Sequence, residues 1–189
     1  MNFFAYFPSI ICRDEQPNFV ETLLNNCIKI KEEKKTEGET FFQSNDLKDE
    51  YFIEEFKKHV LSSAVNLLSV QGYSVEKYNF FVSSLWFQEL GKGAATNAHF
   101  HKNSQICGWF FLEAPEKGSY PVYYDTRINK NMIELDFVQT EEITNATNVI
   151  HFNNVQNGTV IFAPSWIQHQ LTVNRSEMPT RCIHFIISN

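Results

Sequence analysis

The spacing of apolar residues changes once along this chain. Up to about residue 75 it follows a helical period, and beyond that a period of two. Val20, Leu23, Leu24, Cys27 and Ile28 form a stripe at helical spacing, with Pro17 placed to open the helix. A second helix is predicted from about Asp49 to Val70. Phe52, Phe56, Val60, Ala64 and Leu67 or Leu68 line one face of it, and Gln71-Gly72 ends it. Phe3 to Ile11 reads as an opening strand, and the polar stretch from Lys31 to Asn45 as an exposed loop.

After Lys77 the chain is rich in aromatic and β-branched residues. Strands are predicted at Lys77–Gln88, His99–His101, Gln105–Leu112, Tyr120–Asp125, Asn148–Phe152, Thr159–Ala163, Ile167–Val173 and Arg181–Ser188. Gly91 and Gly93 mark a turn. Arg127 to Thr147 carries the weakest pattern and reads as a mobile loop over a site. This order predicts one domain over residues 1–189. Residues 1–75 are mostly helical support and 76–189 are a β-barrel core, a jelly-roll-like architecture with helices packed on one side.

Composition adjusts that picture in three places. With 18 phenylalanines among 189 residues, much of the core must be aromatic. A formal charge of −6 leaves no basic footprint, so nucleic acid is not a favoured partner. Cys12, Cys27, Cys107 and Cys182 are scattered and form no Cys-x-x-Cys pair, which argues against a zinc knuckle or a disulfide scaffold and for reduced thiols in the cytoplasm. No apolar run is long enough to span a membrane. A homodimer stays open.

The chemistry is concentrated in few residues. Of six histidines, His99 and His101 stand at i and i+2, so on a strand both rings share a face. His169 lies in a later β-like segment. Neutral imidazole donates a lone pair at physiological pH, and three such ligands leave coordination positions open. His99, His101 and His169 are therefore the candidate metal ligands and catalytic residues. A non-haem iron face is commonly two histidines and a carboxylate, so Asp125 is the alternative ligand, or a group orienting one of the histidines. His59 reads as solvated, and His151 and His184 as structural.

Gly93-x5-His99-x-His101 and Gly158-x5-Pro164-x4-His169-x4-Asn174 match the two cupin motifs in outline. Asn97-Ala98-His99-Phe100-His101-Lys102-Asn103-Ser104, followed by Gly108-Trp109-Phe110-Phe111-Leu112, more closely resembles a block of the 2-oxoglutarate/iron(II) oxygenases of marine bacteria and their phages. So do Ala163-Pro164-Ser165-Trp166-Ile167-Gln168-His169 running on to Asn174, and Arg181 at the opening of the last strand. Phe7-Pro8-Ser9-Ile10 looks similar as well.

The resemblance implies a double-stranded β-helix and iron(II) as the metal. It also implies 2-oxoglutarate and dioxygen as cosubstrates, and hydroxylation of a protein side chain or small molecule in a bacterial or phage-infected cytoplasm. It further implies that Arg181 meets the far carboxylate of 2-oxoglutarate, a pairing that suits a guanidinium. His101 stands where the usual non-haem iron face has a carboxylate, and a three-histidine face is closer to cupin thiol dioxygenases. A cupin-type metal enzyme that does not use 2-oxoglutarate is one alternative. A non-catalytic barrel serving as a binding or structural protein is another.

Overall fold

The computed structural model describes residues 9–34, 39–127, 130, 135, 144 and 146–189. Two antiparallel sheets lie with their strands interleaved in sequence. The larger takes the order β1 (Cys12–Glu15), β7 (Thr159–Pro164), β4 (Ile106–Glu113), β9 (Thr180–Ser188), β3 (Phe81–Leu90), β2 (Phe41–Gln43). The smaller is β6 (Val149–His151), β5 (Pro121–Tyr124), β8 (His169–Leu171). Among the described residues the architecture is mostly β with two α-helices, α1 (Val20–Glu33) and α2 (Glu54–Val70), as the change of period predicts. The strands form two sheets rather than one closed barrel.

Strand alternation gives the large sheet two apolar faces. Leu85 and Phe87 of β3, Ile106, Phe110 and Leu112 of β4, Phe162 of β7, and Ile183, Phe185 and Ile187 of β9 point to the helices. There they bury Leu23 and Cys27 of α1 and Phe56, Val60, Ala64 and Leu67 of α2. At roughly 1.5–3 kcal/mol per fully buried large side chain, this layer holds the helices to the sheet. The opposite face carries Leu90, Trp109, Phe111, Ile161, Ala163 and Cys182, and packs on Tyr123 and Leu171 of the small sheet. The candidate chemistry lies in this second layer.

Close approach is most severe at Gly108 of β4. A Cβ there would stand 2.1 Å from the Ile161 carbonyl oxygen and 2.5 Å from Cζ of Phe185. Helix α2 ends as Gln71-Gly72 suggests. Gly72 adopts φ +93°, its N–H reaches the Ser69 carbonyl, and the Tyr73 N–H reaches that of Leu68.

Several boundaries differ from expectation. The opening strand is Cys12–Glu15; of the predicted Phe3–Ile11, residues 1–8 lie outside the described residues. The supposed loop from Lys31 to Asn45 contains the end of α1 and all of β2, whose Phe42 is buried against Phe87. Two apolar residues inside a polar run were enough to pair with an edge strand. His99–His101 is not a strand, since only His99 makes a bridge, to His169. Most of Arg127–Thr147, with its expected mobile loop, lies outside the described residues.

Candidate metal centre

The segment carrying His99 and His101 is fastened to the chain that carries His169. The N–H of His99 donates to the His169 carbonyl at 3.0 Å, the reverse bond is 2.9 Å, and the His101 N–H donates to Ser165 O at 2.9 Å. These bonds bring residues distant in sequence to one place. A fourth ring joins them from β9, that of His184. One nitrogen from each of His99, His101, His169 and His184 lies within 4.8 Å of every other. His169 and His184 are buried and the other two half-buried, so the cluster opens on the His99–His101 side.

The hydrogen bonds fix most of the tautomers. A carbonyl oxygen only accepts, so a ring nitrogen bonded to one must carry the proton. Nδ1 of His99 donates to Asn97 O at 2.8 Å, Nδ1 of His169 to Ile167 O at 2.7 Å, and Nδ1 of His184 to Gly108 O at 2.7 Å. In each neutral ring Nε2 is then a lone pair. Backbone acceptors of this kind orient metal-binding histidines. His101 Nε2 lies 3.3 Å from His169 Nε2 and 2.9 Å from His184 Nε2. One proton on His101 Nε2 satisfies one of those two lone pairs, whereas a cation satisfies both. Two ligands about 2.1 Å from one ion at near right angles stand about 3 Å apart. The donor set therefore fits a transition-metal ion.

Electrostatics favour the same state. Burial, reinforced by the neighbouring rings, pushes His101 down to about 4 and His169 down to about 3, and holds His184 well below the ordinary histidine value. All three are neutral and able to donate at physiological pH. Trp109 stacks on His184 at 4.8 Å and meets His169 edge-on at 5.1 Å, and Trp86 meets His184 edge-on at 4.6 Å. The Cys107 sulfur lies 3.9 Å from His169 Nε2. Burial pushes its thiol up to about 12, so in the metal-free protein it is protonated near neutral pH.

The structure places three residues differently from expectation. His184, read as structural, lies beside the other three rings. It belongs to the cluster, and the alternation of β9 carries the signal: with Ile183, Phe185 and Ile187 in the helix-facing layer, His184 must face the other way with Cys182. Arg181 shares the helix-facing parity and is not brought to the histidines. Its Nε donates to Glu89 at 2.7 Å and its Nη1 to Glu113 at 2.5 Å, while Lys31 of α1 binds Glu89 at 2.5 Å. Asp125 is not in the cluster either. Its carboxylate accepts from Arg127 at 2.7 Å and from Lys130 at 2.8 Å, and these partners hold it well below the usual carboxylate range against the opposing effect of burial. Trp109 and Phe111 are core, whereas Trp166 is half-exposed on a cleft of about 300 Å³ shared with Tyr73, Tyr78 and Phe80.

Solved structures share this fold at low identity. A Pseudomonas putida prolyl-4-hydroxylase superposes with TM-score 0.63 at 10% identity, covering 96% of this chain and 93% of its own. The non-heme alpha ketoglutarate dependent carbocyclase SnoK from nogalamycin biosynthesis gives 0.64 at 11% identity, covering 95% and 79%. The epimerase SnoN, in complex with Fe3+, alpha ketoglutarate and nogalamycin RO, gives 0.58 at 8% identity, covering 96% and 79%. No curated protein sequence matches the chain. These likenesses establish a double-stranded β-helix. The family described as "Putative 2OG-Fe(II) oxygenase" matches residues 84–185, more than half of the chain, from within β3 to within β9, and includes the four histidines. The chain belongs to the 2OG-Fe(II) oxygenase family.

Proposed function

We propose that His99, His101 and His169 hold iron(II) and that the protein is a hydroxylase of a protein side chain or a small molecule. The observation that carries this reading is the convergence of imidazole nitrogens from two segments distant in sequence, with the Nδ1 protons of His99 and His169 held on backbone carbonyls. Bound iron, with 2-oxoglutarate as reductant, supplies the activation of dioxygen for oxygenation of a C–H bond.

The chain's own part is geometric. The Asn97 and Ile167 carbonyls fix the rings that present Nε2. Trp86, Trp109 and Tyr123 surround the buried side of the cluster and exclude water from it. Their Nε1 and Oη atoms are buried with no partner among the described residues, which makes them neutral donors for a polar ligand in the second layer. Substrate reaches the half-buried side at His99 and His101.

The test is an anaerobic titration of the iron(II) protein with 2-oxoglutarate, followed by admission of dioxygen. A visible charge-transfer band and stoichiometric succinate support the reading. Iron uptake with neither band nor succinate would indicate a metal enzyme that does not use the keto acid, and no iron uptake would remove the site altogether.

A further inference from the structure

The fourth histidine has a distinct consequence. A histidine serving only the fold needs one satisfied nitrogen and can leave the other against apolar side chains or water. His184 is satisfied through Nδ1 at Gly108, yet its other nitrogen is aimed into the cluster, 2.9 Å from His101 Nε2. It is buried, stacked on Trp109 and flanked by Trp86, so its ring plane is set by packing. Across β4, the register places Trp109 directly opposite it, and on the other side Trp86. The ring has no room to rotate away.

We infer that His184 is a fourth protein ligand, and that this chain builds an all-imidazole centre of His99, His101, His169 and His184. The inference rests on the metal reading above. Two coordination positions then remain on a six-coordinate ion. They suffice for a chelating keto acid, or for substrate and dioxygen, but not for a keto acid and dioxygen together unless an imidazole leaves. Four neutral donors also leave the dication's charge uncompensated, with no carboxylate in the set. Imidazole sites suit iron, nickel, copper and zinc, whereas carboxylate-rich sites suit manganese and magnesium. The centre should therefore discriminate against manganese(II) more strongly than a site with a carboxylate ligand.

The experiment loads the full-length protein with copper(II) and counts bound imidazole nitrogens by pulsed electron paramagnetic resonance. It then measures cobalt(II) affinity in wild type, His184→Gln and His169→Ala. Four imidazoles in wild type, three in His184→Gln, and a cobalt affinity weakened roughly 10- to 100-fold in that variant are expected; this scale is seen even for loss of groups that only orient ligands. A wild-type count of three, or unchanged affinity in folded His184→Gln, overturns the inference. If His184→Gln does not fold, the wild-type count alone decides. Metal lost in His169→Ala but indifferent to His184 defeats only the fourth ligand. Metal bound equally by all three proteins defeats the proposed site itself.

Discussion

Arg181 and His184 stand three residues apart on β9, and so on opposite faces of the sheet. One is held by Glu89 and Glu113 on the helix side, and the other points into the histidine cluster. Arg181→Met should therefore act on stability and not on the metal. Glu89 is buried, and although burial alone would raise its carboxyl, Lys31 and Arg181 lower it. Removing the arginine leaves Glu89 with Lys31 alone, at a cost of about 1–3 kcal/mol. Urea unfolding should show that loss, while cobalt(II) affinity stays at the wild-type value. A large drop in metal or 2-oxoglutarate affinity in a folded Arg181→Met protein would contradict the assignment of this residue to the helix face.

His169 is the buried centre of the proposed site, tied to His99 by a two-bond bridge. His169→Ala should abolish stoichiometric iron(II) binding, read by dialysis and metal analysis. Its backbone bonds to His99 survive the change, so circular dichroism should remain that of the folded chain.

The depressed histidines make the metal-free protein sensitive to acid. In the unfolded chain a histidine binds its proton at about 6.5. In the folded chain His101 does so only near 4 and His169 near 3, because burial disfavours the charged ring. Between those values the unfolded state binds more protons, so stability rises with pH. The contribution is fully present above about 6.5 and is lost as pH falls toward about 3. For the buried His169 the loss is on the order of a few kcal/mol. Urea midpoints of metal-free protein between pH 7 and 4 should fall steadily. A His169→Ala protein should show a shallower slope, and equal slopes would count against the assigned cause.

Gly108 couples core and centre. Its missing Cβ admits Ile161 O and the Phe185 ring, and its carbonyl holds His184. Gly108→Ala forces backbone apart and should cost about 3 kcal/mol or more. Because the displaced carbonyl orients His184, metal affinity should weaken even under conditions where the variant is folded. Thermal unfolding and cobalt titration on the same sample test both effects.

Asn174 closes the block that begins at Ala163, and its place is structural. Buried, it donates through Nδ2 to the carbonyls of Leu90 and Met178. Asn174→Ala removes both of these hydrogen bonds and should destabilise by about 1–3 kcal/mol, read by chemical denaturation, with metal binding intact in the folded fraction.

The sequence by itself determined the change from helical period to strand period, the aromatic core, and the nearness of His99 to His101. These are local: side-chain spacing along one element decides which residues share a face. It also contains the parity that separates Arg181 from His184, because alternate residues of a strand take opposite faces. Tertiary structure alone decided the rest. Whether β9 turns its odd or even residues to the histidines depends on which face α1 and α2 cover, a contact between segments over a hundred residues apart. The direction of each lone pair depends on carbonyls at Asn97, Ile167 and Gly108, whose positions follow from strand pairing. The strand β2 was hidden for the same reason. Three residues hold an edge only where Leu90, Glu89 and Gln88 already present one.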